Sequence, residues 1–314
     1  MKKFAICFLI FTLTGKILFA QDPAFSQPYA NPLYLNPAFA GTGTSQRICL
    51  NFRDQWPNIP GNFITYNLSY DRNIIDSSNA IGILANYDNS GQSTLITKNI
   101  SLIFAHQFHI KSFTLSIGVQ GTYRQKSINP NNISFGDMID PVRGFIYNIN
   151  SPDFLLRTSI AVPDFAAGIL GFGKNYFVGF AMNHFTQPDE FFTSGASPLP
   201  IKYVFNAGGI IPIGSFIISP TLLHQKQQDF NQTVAECYLS KWHLTAGVGY
   251  RFNDAMIFTL GYHNSFMRLG YSYDYTTSAL TNITGGSHEA SLAILVHYKH
   301  DRFKKVNGIN CPFF

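Results

Sequence analysis

Apolar and polar residues alternate with a period of two along nearly the whole chain, and no segment carries a sustained helical period. In an extended strand, successive side chains point to opposite faces. From Trp242 to Phe252 one face holds Trp242, Leu244, Ala246, Val248, Tyr250 and Phe252, and the other holds His243, Thr245, Gly247, Gly249 and Arg251. Further along, Leu269, Tyr271, Tyr273 and Tyr275 oppose Arg268, Gly270, Ser272 and Asp274. The stretches 63–71, 113–124 and 288–298 repeat the pattern, and the apolar faces often end in Tyr, Trp or Phe. Such strands need a non-aqueous neighbour on one side only. It is either the shared core of a soluble sandwich or the lipid around a barrel.

Composition selects the barrel. Only 12% of residues are charged and 15% are aromatic, against about 25% charged in an ordinary soluble domain. Beyond the first twenty residues, no run of about 18 apolar residues offers a transmembrane helix. Fourteen candidate strands begin near Arg47, Phe63, Asn79, Lys98, Phe113, Phe165, Tyr176, Lys202, Phe216, Thr233, Trp242, Met256, Phe266 and His288. The tenth, Thr233–Leu239, alternates least well. Single-chain bacterial barrels have an even strand number, short periplasmic turns and longer outside loops. The connections obey this rule except at Asn253–Ala255, which is short on the long-loop side. The expected fold is therefore all-β: a transmembrane antiparallel up-and-down β-barrel of about 14 strands in the outer membrane. Lipid meets the apolar faces and a wet lumen meets the polar ones.

The ends of the chain complete the organisation. Residues 1–20 have a basic start at Lys2 and Lys3, an apolar run and a small-residue site at Ala20, the pattern of a cleaved secretory signal peptide. Residues 46–299 form the expected barrel, with periplasmic extensions at 21–45 and 300–314, because an even strand number returns both ends to the same side. The N-terminal extension is dense in Pro, Asn and aromatics and cannot be a strand interior. Its Leu33, Tyr34, Leu35 and Phe39 are candidate docking anchors for a periplasmic partner, or for packing beneath the barrel. Cys49, Cys237 and Cys311 are expected to be free thiols. The chain carries 22 Lys and Arg against 17 Asp and Glu, but three of those lysines (Lys2, Lys3 and Lys16) lie in the leader. The near-neutral remainder gives no support for nucleic-acid binding.

Candidate chemistry is sparse. Adjacent strand residues such as His288 and Glu289 face opposite sides and cannot converge. His184 with Asp189 and Glu190 could hold a metal only if an outside loop folded back. His243, His263 and His297 with Ser291 and Glu289 are the raw material for a rim hydrolase, but the simpler reading is polar residues in a wet lumen. Arg124, Arg251, Arg268, Asp274 and Glu289, together with Asp71, are expected to face that lumen. Their mixed sign argues against a strongly ion-selective pore. No catalytic group, metal site or cofactor is expected.

Several long stretches resemble one family. These are QDPAFSQPYANPLYLNPAFAG (Gln21–Gly41), NFRDQWPNIPGNFITYNLSYD (Asn51–Asp71), PDFAAGILGFGKNYFVGFAMNHFTQPDE (Pro163–Glu190), GYSYDYTTSAL with GGSHEASL, and the closing CPFF. They resemble the PorP/SprF family of type IX secretion system outer-membrane proteins of Bacteroidota, with residues 127–156 matching least. The resemblance implies an accessory, non-enzymatic barrel needed for export or surface anchoring of secreted proteins, including large gliding adhesins. It also implies periplasmic ring and peptidoglycan-binding components as partners. Alternation alone would equally allow a passive porin or small-molecule transporter.

Overall fold

The structure, a computed structural model, describes residues 22–43, 45–74, 78–133, 139–140, 144–145, 157–192, 196–278 and 281–296. Fourteen long strands make up the wall. The first seven are β1 (Gln46–Gln55), β2 (Phe63–Ile74), β3 (Asn79–Ser90), β4 (Leu95–Ile110), β5 (Phe113–Ile128), β6 (Ser159–Phe172) and β7 (Tyr176–Asn183). The rest are β8 (Lys202–Gly209), β9 (Phe216–Gln227), β10 (Phe230–Lys241), β11 (Leu244–Arg251), β12 (Ala255–His263), β13 (Met267–Thr276) and β14 (Ser287–Val296). Each pairs antiparallel with the next. β1 also pairs with β14, from Gln46 opposite Val296 to Gln55 opposite Ser287, and this seam closes the sheet. Closure leaves no open edge in the hydrocarbon, where an unpaired backbone group has no water to turn to.

Connections after odd-numbered strands share one end and include residues 129–158 and 184–201; those after even-numbered strands share the other, the longest being 210–215. Strand starts differ from the sequence reading by three or more residues at three places. β4 begins at Leu95, β6 at Ser159 and β10 at Phe230. The earlier start of β10 leaves only Gln228 and Asp229 between it and β9, a further short link at the long-loop end. Apolar side chains on both faces blur the alternation of β10: Val234 and Tyr238 are buried inside, while Leu239 is exposed outside. The expected leader, residues 1–20, and the expected C-terminal extension, residues 300–314, lie outside the described residues.

The outer face is a bare apolar belt. Leu102, Leu260 and Leu244 are 68%, 67% and 62% exposed. Leu269, Tyr271 and Tyr275 also point outward, whereas Ser272 and Asp274 are buried inside. The inner face departs from the expected wet lumen. Leu84, Ile103, Leu170, Phe172, Phe177 and Leu223 point inward and are buried in one cluster with residues of the N-terminal segment. Sequence alternation marks which face a residue takes but does not reveal what fills the enclosed space.

Val248→Arg or Leu260→Arg is expected to destabilise the barrel by about 2–4 kcal/mol if the site lies near the membrane midplane, measured by denaturant unfolding in vesicles. Thr245→Arg, on the inward face, should also destabilise, because Thr245 is buried and its hydroxyl lies 2.8 Å from that of Ser240.

Candidate functional site: the occupied lumen

Residues 22–43 run through the barrel as three short helical turns, Pro28–Ala30, Pro32–Leu35 and Pro37–Phe39. Each turn starts on a proline, whose missing N–H is no loss at a first helical position. The Asn36 side chain accepts from the Ala38 amide at 2.9 Å and so caps the last turn. Its amide nitrogen donates to the carbonyls of Ile169 and Phe180 at 3.2 and 3.3 Å. The Tyr29 hydroxyl reaches the carbonyls of Ala207 and Leu222 at 3.2 and 3.0 Å. These wall carbonyls accept from the plug in addition to any ladder bond, since a carbonyl has two lone pairs.

The wall is shaped to receive the segment. At Gly118, an added Cβ would lie 2.5 Å from both the Pro37 carbonyl carbon and the Ala38 nitrogen. At Gly168 it would overlap the Asn36 side chain, and at Gly270 that of Gln27. Leu33, Leu35 and Phe39 then pack against the inward apolar residues of the wall, with Tyr34 beside them. Each large side chain taken out of water in this way contributes roughly 1.5–3 kcal/mol. The four residues expected on a periplasmic docking segment thus lie within the lumen. The physical reason is mutual: apolar wall residues and apolar plug residues cover one another.

Two charge clusters hold the plug. In the first, Glu289 accepts from the backbone amides of Ser26 and Gln27 at 2.6 and 3.0 Å. Ser26 Oγ donates to Asp274 at 2.6 Å and accepts from Arg53 and Arg251. Asp274 also receives Arg53 at 2.9 Å and Arg251 at 3.0 Å. Ser291 donates to the Gln27 side-chain oxygen at 2.6 Å. The second cluster lies at the long-loop mouth. His184 bridges Asp22 at 2.6 Å and Asp164 at 2.5 Å. Arg124 meets Glu190 and, at 3.4 Å, Asp22, while Lys126 reaches Glu190 at 2.8 Å and Lys202 reaches Asp22 at 3.8 Å. Burial alone would lower the His184 pKa, but the charge of Asp22 and the hydrogen bonds of both carboxylates raise it to about 9. Burial likewise opposes ionisation of Asp22, yet His184, Lys202 and Arg124 hold it well below the usual carboxylate range.

The structure places Arg124, Arg251, Asp274 and Glu289 inside the barrel and buried, and Arg268 half-buried near the short-turn end. Asp71 lies at that end too, paired with Arg47 at 2.9 Å and accepting from the Gly41 amide at 2.9 Å. His184 and Glu190 do approach the same mouth, but each answers to different partners. Asp189 instead accepts from the Ser197 amide at 2.7 Å. No cluster suited to a metal occurs among the described residues. Ser291 and Glu289, candidates for rim chemistry, are committed to the plug. His243 donates to or approaches the His263 carbonyl at 3.0 Å in the region of the short turns, and His297 lies outside the described residues. Ser26, Gln27 and Asp22 were missed by the sequence reading. Their only signal is that short polar residues interrupt an otherwise apolar, proline-rich stretch.

A closed barrel with an apolar outer belt, and with its own N-terminal segment seated in the lumen, defines a transmembrane β-barrel of the outer-membrane type. Residues 17–294 match the family described as type IX secretion system membrane protein PorP/SprF, and the chain belongs to that family. It is accordingly a multi-strand barrel of the outer membrane. A search of curated proteins finds no significant match. Among solved structures it is similar to the CymD monoaromatic hydrocarbon channel (13% identity, 90% of this chain and 96% of that one, TM-score 0.49). A Pseudomonas aeruginosa FadL homologue (12%, 90% and 96%, TM-score 0.48) and the outer membrane phospholipase A from Escherichia coli (10%, 83% and 98%, TM-score 0.37) are also similar. Likeness at this level carries no functional argument.

Gly118→Val should displace the plug while leaving the wall intact. The expected result is a barrel that still runs as a folded, heat-modifiable species but conducts ions in planar bilayers above the level of the unaltered protein. The mouth cluster should be pH-sensitive. Because the His184 pKa is raised from 6.5 to about 9 on folding, its stabilisation is complete below about pH 6.5 and is lost as the pH rises through about 9. Thermal unfolding between those limits should show a downward trend with rising pH that His184→Gln flattens.

Proposed function

We propose that this protein is a non-enzymatic accessory barrel of the type IX secretion system. It serves export or surface anchoring of secreted proteins, such as the large adhesins of gliding motility, and works with periplasmic ring and peptidoglycan-binding components. The observation that carries this reading is the filled lumen. A segment tied to the wall by Glu289, Asp274 and Arg53 at one level and by His184 at another leaves little room for a diffusing solute. That supports a scaffold over a passive porin. Leu33, Tyr34, Leu35 and Phe39 serve this role by closing the barrel, so that periplasmic partners meet its short turns.

Deleting the protein should abolish surface display of a type IX cargo while small-sugar permeability of the outer membrane stays unchanged, both followed in the same cells. Reduced sugar uptake with normal display would establish the porin reading instead. Phe39→Ala is expected to cost about 3–5 kcal/mol of stability, as for other fully buried phenylalanines, and to admit solute in a liposome-swelling assay.

A further inference from the structure

We infer that the short-turn rim of the barrel binds anionic phospholipid headgroups, and so gathers such lipids around one end of the protein and not the other. Charge is divided unequally between the two ends. At the short turns, Arg72 near the end of β2, Lys111 between β4 and β5, and Lys174 between β6 and β7 are exposed, and Lys241 at the end of β10 is half-buried. The one described carboxylate at that end is Asp71, which is buried and committed to Arg47 and the Gly41 amide. None of the four cations pairs with a carboxylate among the described residues. The long-loop end instead exposes both signs, with Asp189 and Asp229 as well as Lys98 and Lys226.

The position of the cations selects lipid over a soluble partner. Each sits at the lower edge of the apolar belt, beside a large exposed side chain. Lys111 follows Ile110, Lys174 lies two residues before Tyr176, and Lys241 precedes Trp242. Arg72 continues the outward face of Tyr66 and Leu68. At β10 the geometry is explicit. The Lys241 ammonium lies 4.5 Å from the ring centroid of Phe216 and 4.7 Å from that of Trp242, which is 79% exposed. Aromatic rings at the edge of such a belt sit among headgroups, and a lysine stem follows apolar surface while its charge reaches the polar layer. The anion which that layer offers is a phosphodiester, and each surface lysine favours a net negative headgroup by about fivefold. A zwitterionic headgroup carries the same phosphate with a compensating amine, so it gains little.

This inference rests on the short turns lying at a membrane surface, and not on the secretion role. The chain has two tryptophans, Trp56 after β1 and Trp242 after β10, and so a fluorescent reporter at each end. The full chain is reconstituted in phosphatidylcholine vesicles that contain, at equal mole fraction, phosphatidylglycerol or phosphatidylcholine with brominated acyl chains. Quenching is then read from Trp242 in Trp56→Phe and from Trp56 in Trp242→Phe. The expected result is that brominated phosphatidylglycerol is enriched beside Trp242 by about fivefold over brominated phosphatidylcholine at low salt. Lys241→Gln or about 1 M salt should remove that preference, and Trp56 should see the two lipids equally. Native mass spectrometry of protein released from the same vesicles should count fewer bound phosphatidylglycerols on the triple variant Lys111→Gln, Lys174→Gln, Lys241→Gln than on the unaltered chain. Equal quenching by the two lipids at Trp242 overturns the proposal, as does the same preference at both tryptophans or an unchanged lipid count in the triple variant. Loss of cargo display by the triple variant in cells, without any lipid preference in vesicles, would assign the rim to an acidic protein partner and overturn it too.

Discussion

Everything in this structure follows from the pairing of the first strand with the last. In hydrocarbon each backbone N–H and C=O must be satisfied within the protein, and a fourteen-stranded sheet manages this only by closing on itself. Closure solves the backbone problem and creates a second one, an enclosed volume whose walls cannot all be wet. The inward faces of Leu170, Phe172, Phe177 and Leu223 would be costly beside water. The N-terminal segment resolves this by bringing its own apolar side chains to them.

The plug is held by two kinds of force that act at different places. Apolar contact around Leu33 and Phe39 supplies burial but little specificity of position. The polar contacts supply the position: Glu289 on two successive amides, the Asn36 amide on two wall carbonyls, and the glycine notch at Gly118 against Pro37. Buried charges of this sort cost several kcal/mol each to dehydrate and are tolerated when paired. Here Arg53 and Arg251 face Asp274 and Glu289 with Ser26 between them. Removing one partner would leave the others uncompensated, so the cluster fixes where the plug sits more than how tightly it is bound.

How much of this was legible in the sequence depends on the range of the interaction. Strand number, the outward belt and the end at which loops lengthen all come from local alternation and turn residues, and they emerge directly. Lumen content does not, because it is set by contacts between residues more than two hundred positions apart, such as Ser26 with Glu289. Gly118 and Gly270 look neutral in a strand until the facing Pro37 and Gln27 are placed. A periplasmic location for residues 21–45 follows from where β1 begins, and no local signal reveals that the chain reverses. The clue that was available is compositional. Leu170, Phe172, Leu223 and Val234 fall on the inward register, too many apolar groups for an aqueous channel.

The seam has one more consequence, for the order in which the molecule is made. The Ser26 and Gln27 anchor is assembled from β1, which carries Arg53, from β11 and β13, which carry Arg251 and Asp274, and from β14, which carries Glu289. One of those four strands is the last synthesised, and Arg53 pairs opposite Glu289 only once the seam has zipped. The segment made first is thus the one that finds its place last, and its seating certifies that the ring around it is complete.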